Sequence, residues 1–157
     1  MPLPAVGDPA PDFRLKGPGG QFVSLSEYAG RRPVVLIFYP LAFSPTCAHQ
    51  LPQVQQDLPR FEATGAEVLG VSVDSHWANE AFARSLGLSF PLLSDFKREA
   101  MRAYGVLLSE AGYSGRALFV IGRDGRIAYH EVADNPGAID QIPSNERALS
   151  ALQSLAG

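Results

Sequence analysis

The chain has 157 residues, 46% of them apolar and 18% charged, with a formal net charge of −3 and a single cysteine. That is about one domain's length, so residues 1–157 are expected to fold as a single unit, and one cysteine rules out an internal disulfide. Lys and Arg form no stripe and the pair Arg31-Arg32 stands isolated, so neither nucleic acid nor an anionic membrane is expected as a partner.

Met1-Pro2-Leu3-Pro4-Ala5-Val6-Gly7-Asp8 has neither the basic region nor the apolar core of a signal peptide. The longest apolar run, about Val34 to Phe43, is shorter than a bilayer span. Together with the lone thiol, these features point to a reducing cytoplasm.

Pro18-Gly19-Gly20 is expected to turn the chain between short strands over 12–15 and 21–25. Pro33–Tyr39, a β-branched and aromatic run without polar alternation, predicts a buried central strand. A helical stretch follows to about Thr64 and stops at Gly65; Pro52 and Pro59 are expected to kink it. Residues 67–73 predict a second buried strand. Ala78, Ala81, Phe82, Ser85 and Leu86 mark one face of a helix ending at Gly87. Residues 91–93 are extended, and 96–104 are expected to be helical. Two runs, 117–121 and 126–132, joined across Arg123-Asp124-Gly125, predict a hairpin. Ser144 can cap a last helix that buries Ala148, Leu149, Leu152 and Leu155. The order β–α–β–α then β–β–α describes an α/β fold with a mixed central sheet and helices on both faces.

The cysteine stands at the end of Pro40-Leu41-Ala42-Phe43-Ser44-Pro45-Thr46-Cys47, directly after the most apolar segment. A strand running through a tight loop into a helix puts the thiol at the helix start. Backbone N–H groups and the positive end of the helix dipole stabilise an anion there, and the thiolate is the nucleophilic form. Ser44 is a favoured N-cap and Pro45 a favoured first helical residue, so Cys47 falls at the third position. The Ser44 hydroxyl can then reach the N–H of Thr46 or Cys47.

The pattern Pro-x-x-x-(Thr or Ser)-x-x-Cys, here Pro40, Ser44 and Cys47, resembles the active-site signature of peroxiredoxins. Leu41-Ala42-Phe43, Phe90-Pro91-Leu92-Leu93-Ser94-Asp95-Phe96 and Tyr104-Gly105-Val106 are similar to the one-cysteine alkyl hydroperoxide reductase E branch. Gly115-Arg116-Ala117-Leu118-Phe119-Val120 matches the segment that carries the family's arginine, and Ala10-Pro11-Asp12-Phe13 is family-like. The likeness runs from about residue 5 to 155. It implies a thioredoxin-like fold that reduces hydroperoxides. In that carry-over Cys47 is the peroxidatic nucleophile. Ser44 and the Cys47 N–H orient the peroxide, Arg116 flanks the sulfur, and Pro40 shields the pocket from water. It implies no cofactor, and it implies a homodimer. The chain departs from the pattern with Ser44 in place of the commoner Thr, Gln50 in place of the frequent Glu, and no second cysteine. Recycling then needs an external thiol, either a small thiol or a thioredoxin-type protein.

Thiolate supply alone does not make such a site fast. Lowering a thiol's pKa from about 8.5 to about 6 raises the thiolate fraction at pH 7 roughly thirty-fold. The same shift lowers nucleophilicity roughly ten-fold, if a Brønsted slope of about 0.4–0.5 applies. The rest must come from groups that stabilise charge developing on the peroxide oxygens, as a guanidinium and helix-start N–H groups can. His49, two residues after Cys47, faces elsewhere on a helix and is not its base. His76 and His130 lack ligand spacing, so no metal is expected. Trp77 reads as a packing residue, with a place at the pocket rim as the alternative. The competing reading is a thioredoxin-like redox-sensing or binding module. A dithiol oxidoreductase fails for want of a Cys-x-x-Cys, and a cysteine hydrolase for want of a base.

Overall fold

The computed structural model describes residues 2–156. Strands β1 (Arg14–Lys16) and β2 (Phe22–Ser24) pair antiparallel, with Lys16 opposite Phe22. The turn between them uses Gly19 and Gly20 at φ 73° and 75°, a region a side chain disfavours. Strand β3 (Val34–Phe38) is buried throughout and lies inside the sheet, paired on both edges. It is followed by α1 (Pro45–Ala63), β4 (Glu67–Ser72), α2 (His76–Leu86) and β5 (Leu92–Ser94). Next come α3 (Glu99–Ala103), a small pair β6 (Leu107–Leu108) and β7 (Tyr113–Ser114), the hairpin β8 (Ala117–Ile121) and β9 (Ile127–Val132), and α4 (Asn145–Ala156).

The main sheet has the order β2-β1-β5-β4-β3-β8-β9. β3, β4 and β5 run parallel; β8 runs antiparallel to β3, and β1 antiparallel to β5. Two successive crossovers step the same way across the sheet, so α1 and α2 lie on one face. Side chains of β3 alternate between two cores. Val35, Ile37 and Tyr39 pack with Leu51, Val54 and Phe61 of α1, Phe82 of α2, and Ala148, Leu149 and Leu152 of α4. Val34, Leu36 and Phe38 pack with Phe13, Leu15, Met101 and Tyr104 on the other face. A strand buried on both sides carries no polar alternation, which is why its sequence is continuously apolar.

α1 continues as one helix past Pro52 and Pro59. Leu51, Val54, Leu58 and Phe61 hold it in the core on both sides of each proline, at about 1.5–3 kcal/mol per fully buried side chain, which outweighs the missing N–H groups. The helix expected over 96–104 is confined to α3, because the buried Asp95 carboxylate accepts the N–H groups of Ala100 (3.1 Å) and Met101 (2.8 Å) and sets a later start. On α2 the buried face is Asn79 and Phe82, while Ser85 is exposed. Leu155, expected on the buried side of α4, is exposed, whereas Ala148, Leu149 and Leu152 are buried. Ser144 does cap α4, accepting from the Arg147 N–H at 3.1 Å.

Candidate active site

The antiparallel register of β3 and β8 sets Phe38 opposite Ala117. The chain leaves β3 for the Pro40–Ser44 loop at the end of the sheet where Arg116 enters β8. Residues 69 positions apart therefore meet, at the carboxyl ends of the parallel strands, where open α/β sheets gather ligands. Cys47 is fully buried in the first turn of α1. Arg116, 1% exposed, donates from Nη2 to Cys47 Sγ at 3.1 Å.

The other guanidinium nitrogens are also engaged. Nη1 donates to the Oε1 of buried Gln50, and Nε donates to the Pro136 carbonyl at 2.9 Å. Gln50 lies three residues after Cys47, on the same helix face. Thr46 donates from Oγ1 to the Gly137 carbonyl at 2.8 Å. Every side-chain nitrogen of Arg116 is thus fixed, which offsets the cost of burying a cation.

The loop ahead of the thiol is held from β4. The Asp74 carboxylate accepts the Ala42 N–H at 2.7 Å and the Ser72 hydroxyl at 2.8 Å. Phe43 adopts φ 68°, and its ring rests on Phe82, 5.0 Å between centroids. Tyr39 donates its hydroxyl to Asn79 Oδ1 at 2.6 Å, and burial pushes its phenol well above the usual range. Pro40 is buried at the end of β3.

Ser44 is the N-cap residue and Pro45 follows it at the first helical position, as the sequence implies, but the Ser44 side chain makes no capping hydrogen bond. Its backbone carbonyl accepts the Ala48 N–H at 2.9 Å instead. The hydroxyl is not consumed by the helix. His49 is exposed and bonds Gln53 at 3.0 Å, away from the thiol. Trp77 is not a packing residue: it is 72% exposed, its ring 4.1 Å from that of His76. Among the described residues no group of three His, Cys, Asp or Glu could hold a metal. Among the described residues no helix is long and apolar enough to cross a membrane.

The sequence marks Gln50 only as a departure from the family's Glu; its bond to Arg116, and the parts played by Thr46 and the 136–137 carbonyls, come from the structure. Backbone carbonyls leave no sequence signal.

A mixed α/β sheet thus brings a helix-start thiol and a buried guanidinium together, an arrangement that can hold a sulfur anion and a second developing negative charge beside it. The AhpC/TSA family model matches residues 6–130. The chain is 38% identical over 149 residues to alkyl hydroperoxide reductase E of Mycobacterium tuberculosis, spanning 94% of this chain and 97% of that one. It is 36% identical over 161 residues to the chloroplastic 2-Cys peroxiredoxin BAS1 of Spinacia oleracea, covering 96% of this chain and 60% of that one. Among solved structures, peroxidoxin BcpB of M. tuberculosis superposes with a TM-score of 0.84 at 28% identity, covering 97% of this chain and 98% of that one. Mycobacterium bovis AhpC superposes with a TM-score of 0.83 at 27% identity, covering 99% and 94%. The chain belongs to the AhpC/TSA family of peroxiredoxins, and it is a thiol-dependent peroxidase.

Proposed function

We propose that the chain reduces hydrogen peroxide or organic hydroperoxides by a one-cysteine mechanism centred on Cys47. The observation that carries this reading is the 3.1 Å bond from Arg116 Nη2 to Cys47 Sγ in a chain with no second cysteine. The Cys47 thiolate attacks the terminal peroxide oxygen. An S–O bond forms as the O–O bond breaks, the leaving oxygen takes a proton, and Cys47 becomes a sulfenic acid while the peroxide is reduced to an alcohol or water. Arg116 holds the sulfur and faces the charge that develops on the leaving oxygen. The free Ser44 hydroxyl and the Cys47 N–H orient the peroxide, and Pro40 keeps bulk water from the pocket.

One external thiol condenses with the sulfenic acid, releasing water and forming a mixed disulfide. A second restores Cys47 and leaves as a disulfide. A small thiol or a thioredoxin-type protein serves this role. The reading includes one domain over 1–157, a cytoplasmic setting and a homodimer, for which exposed Leu41, Phe43 and Trp77 offer apolar surface.

The test is intact mass together with turnover. One equivalent of peroxide should add one oxygen, excess peroxide a second, and Cys47→Ser should add neither. A supplied thiol should remove the first oxygen and sustain peroxide consumption. A redox-sensing module would take up the oxygen but sustain no turnover, and that outcome would overturn the reading.

A further inference from the structure

The segment 133–137, between β9 and α4, wraps the arginine. The Ala133 N–H donates to the Arg116 backbone carbonyl at 2.9 Å, so the strap begins at Arg116's own main chain. Three residues on it returns over the side chain, where the Pro136 carbonyl receives Nε. The next carbonyl, of Gly137, receives the Thr46 hydroxyl. Two successive carbonyls therefore join the two elements that flank the thiol: the arginine and the first turn of α1.

Asn135 shapes the turn that aims them. Its Oδ1 accepts the Gly137 N–H at 3.1 Å, and its carbonyl accepts the Ala138 N–H at 3.1 Å. Asp134, Asn135 and Gly137 are exposed, and Ile139 is 56% exposed. A strap lying largely on the surface is placed by its polar contacts more than by packing. Thr46, 8% exposed and adjacent to Cys47, supplies the contact that ties it to α1.

We propose that Thr46 is a positioning residue for peroxide reduction: its hydroxyl fixes the 133–137 strap, and the Pro136 carbonyl in turn holds the Arg116 guanidinium toward Cys47. The proposal rests on the reading of Arg116 as the group that activates the site. Thr46 touches neither the sulfur nor the peroxide in this account. It acts by keeping the fork aligned, and small misplacements of such groups cost large factors in rate.

The experiment is a double-mutant cycle on pre-reduced protein, with the second-order rate of hydrogen peroxide reduction as readout. Thr46→Val keeps the shape and removes the donor, and should slow the reaction about tenfold or more. Thr46→Ser restores the hydroxyl and should react within about twofold of the parent. In an Arg116→Lys background Thr46→Val should change the rate by less than about twofold, because lysine has no N–H at the Nε position for Pro136 to hold. Thr46→Ala carries the same expectation, should the valine variant not fold. Equal losses in both backgrounds, no loss with valine, or no rescue by serine would each overturn the proposal. A parental rate in Arg116→Lys alone would instead remove the underlying reading of the site.

Discussion

Replacing Arg116 by lysine separates charge from geometry. Lysine keeps the cation, so general attraction for a thiolate persists. What is lost is the planar fork. In the structure that fork meets three acceptors: Cys47 Sγ at 3.1 Å, Gln50 Oε1, and the Pro136 carbonyl at 2.9 Å. An ammonium on a flexible stem can satisfy one of these well. If the fork also meets the peroxide oxygens, the second-order rate of peroxide reduction should fall by about 10²-fold or more, the scale of losing one oxyanion donor. Stability should fall too, since a buried acceptor left without a donor costs about 1–3 kcal/mol. A domain with about 5–15 kcal/mol in hand survives the loss of one or two. The assay is rapid-quench or stopped-flow peroxide consumption by pre-reduced protein, beside a denaturant midpoint for the same sample. A folded Arg116→Lys variant reacting within a few-fold of the parent would refute the argument, because charge alone would then suffice.

Two further outcomes follow, one at the thiol loop and one at the start of α4. Ser44→Ala should slow peroxide reduction clearly yet shift the denaturant midpoint by less than the roughly 1 kcal/mol of a lost helix cap, since this hydroxyl caps nothing; a full cap-sized loss without a rate effect would contradict both points. Glu131 is pushed up by burial. That push is outweighed by the Arg147 fork (2.9 and 3.2 Å), the Tyr129 hydroxyl (2.6 Å) and the Ser144 N–H (3.1 Å), so its carboxyl titrates below the usual range. Such a group stabilises the fold above its unfolded value of about 4.3 and loses that contribution as pH falls through the lower folded value. Denaturant midpoints between pH 7 and 3 should therefore decline less steeply below about pH 4.5 in Glu131→Gln than in the parent. Parallel declines would show that this carboxylate has no part in the acid limb.

Elements whose signal is local are legible in the amino-acid sequence. The unbroken apolar run of β3 marks a strand buried on both faces. Ser44-Pro45 marks where α1 begins, Gly65 and Gly87 mark where helices stop, and Arg123-Asp124-Gly125 marks the β8–β9 turn. Each is a backbone preference or a burial pattern readable within a few residues. Together with the family likeness they point to Cys47, Arg116, Ser44 and Pro40. Tertiary structure alone decided what each of these side chains touches. Arg116 reaches the sulfur because Ala117 pairs with Phe38 across the sheet, and register is a long-range property. Packing overrode propensity where α1 runs through two prolines and where the Asp95 carboxylate delays α3. It left Trp77 and Leu155 in water although both are apolar. The strap is the clearest case: Pro136 and Gly137 hold Arg116 and Thr46 through main-chain carbonyls, which every residue carries, so no side chain in the sequence announces them.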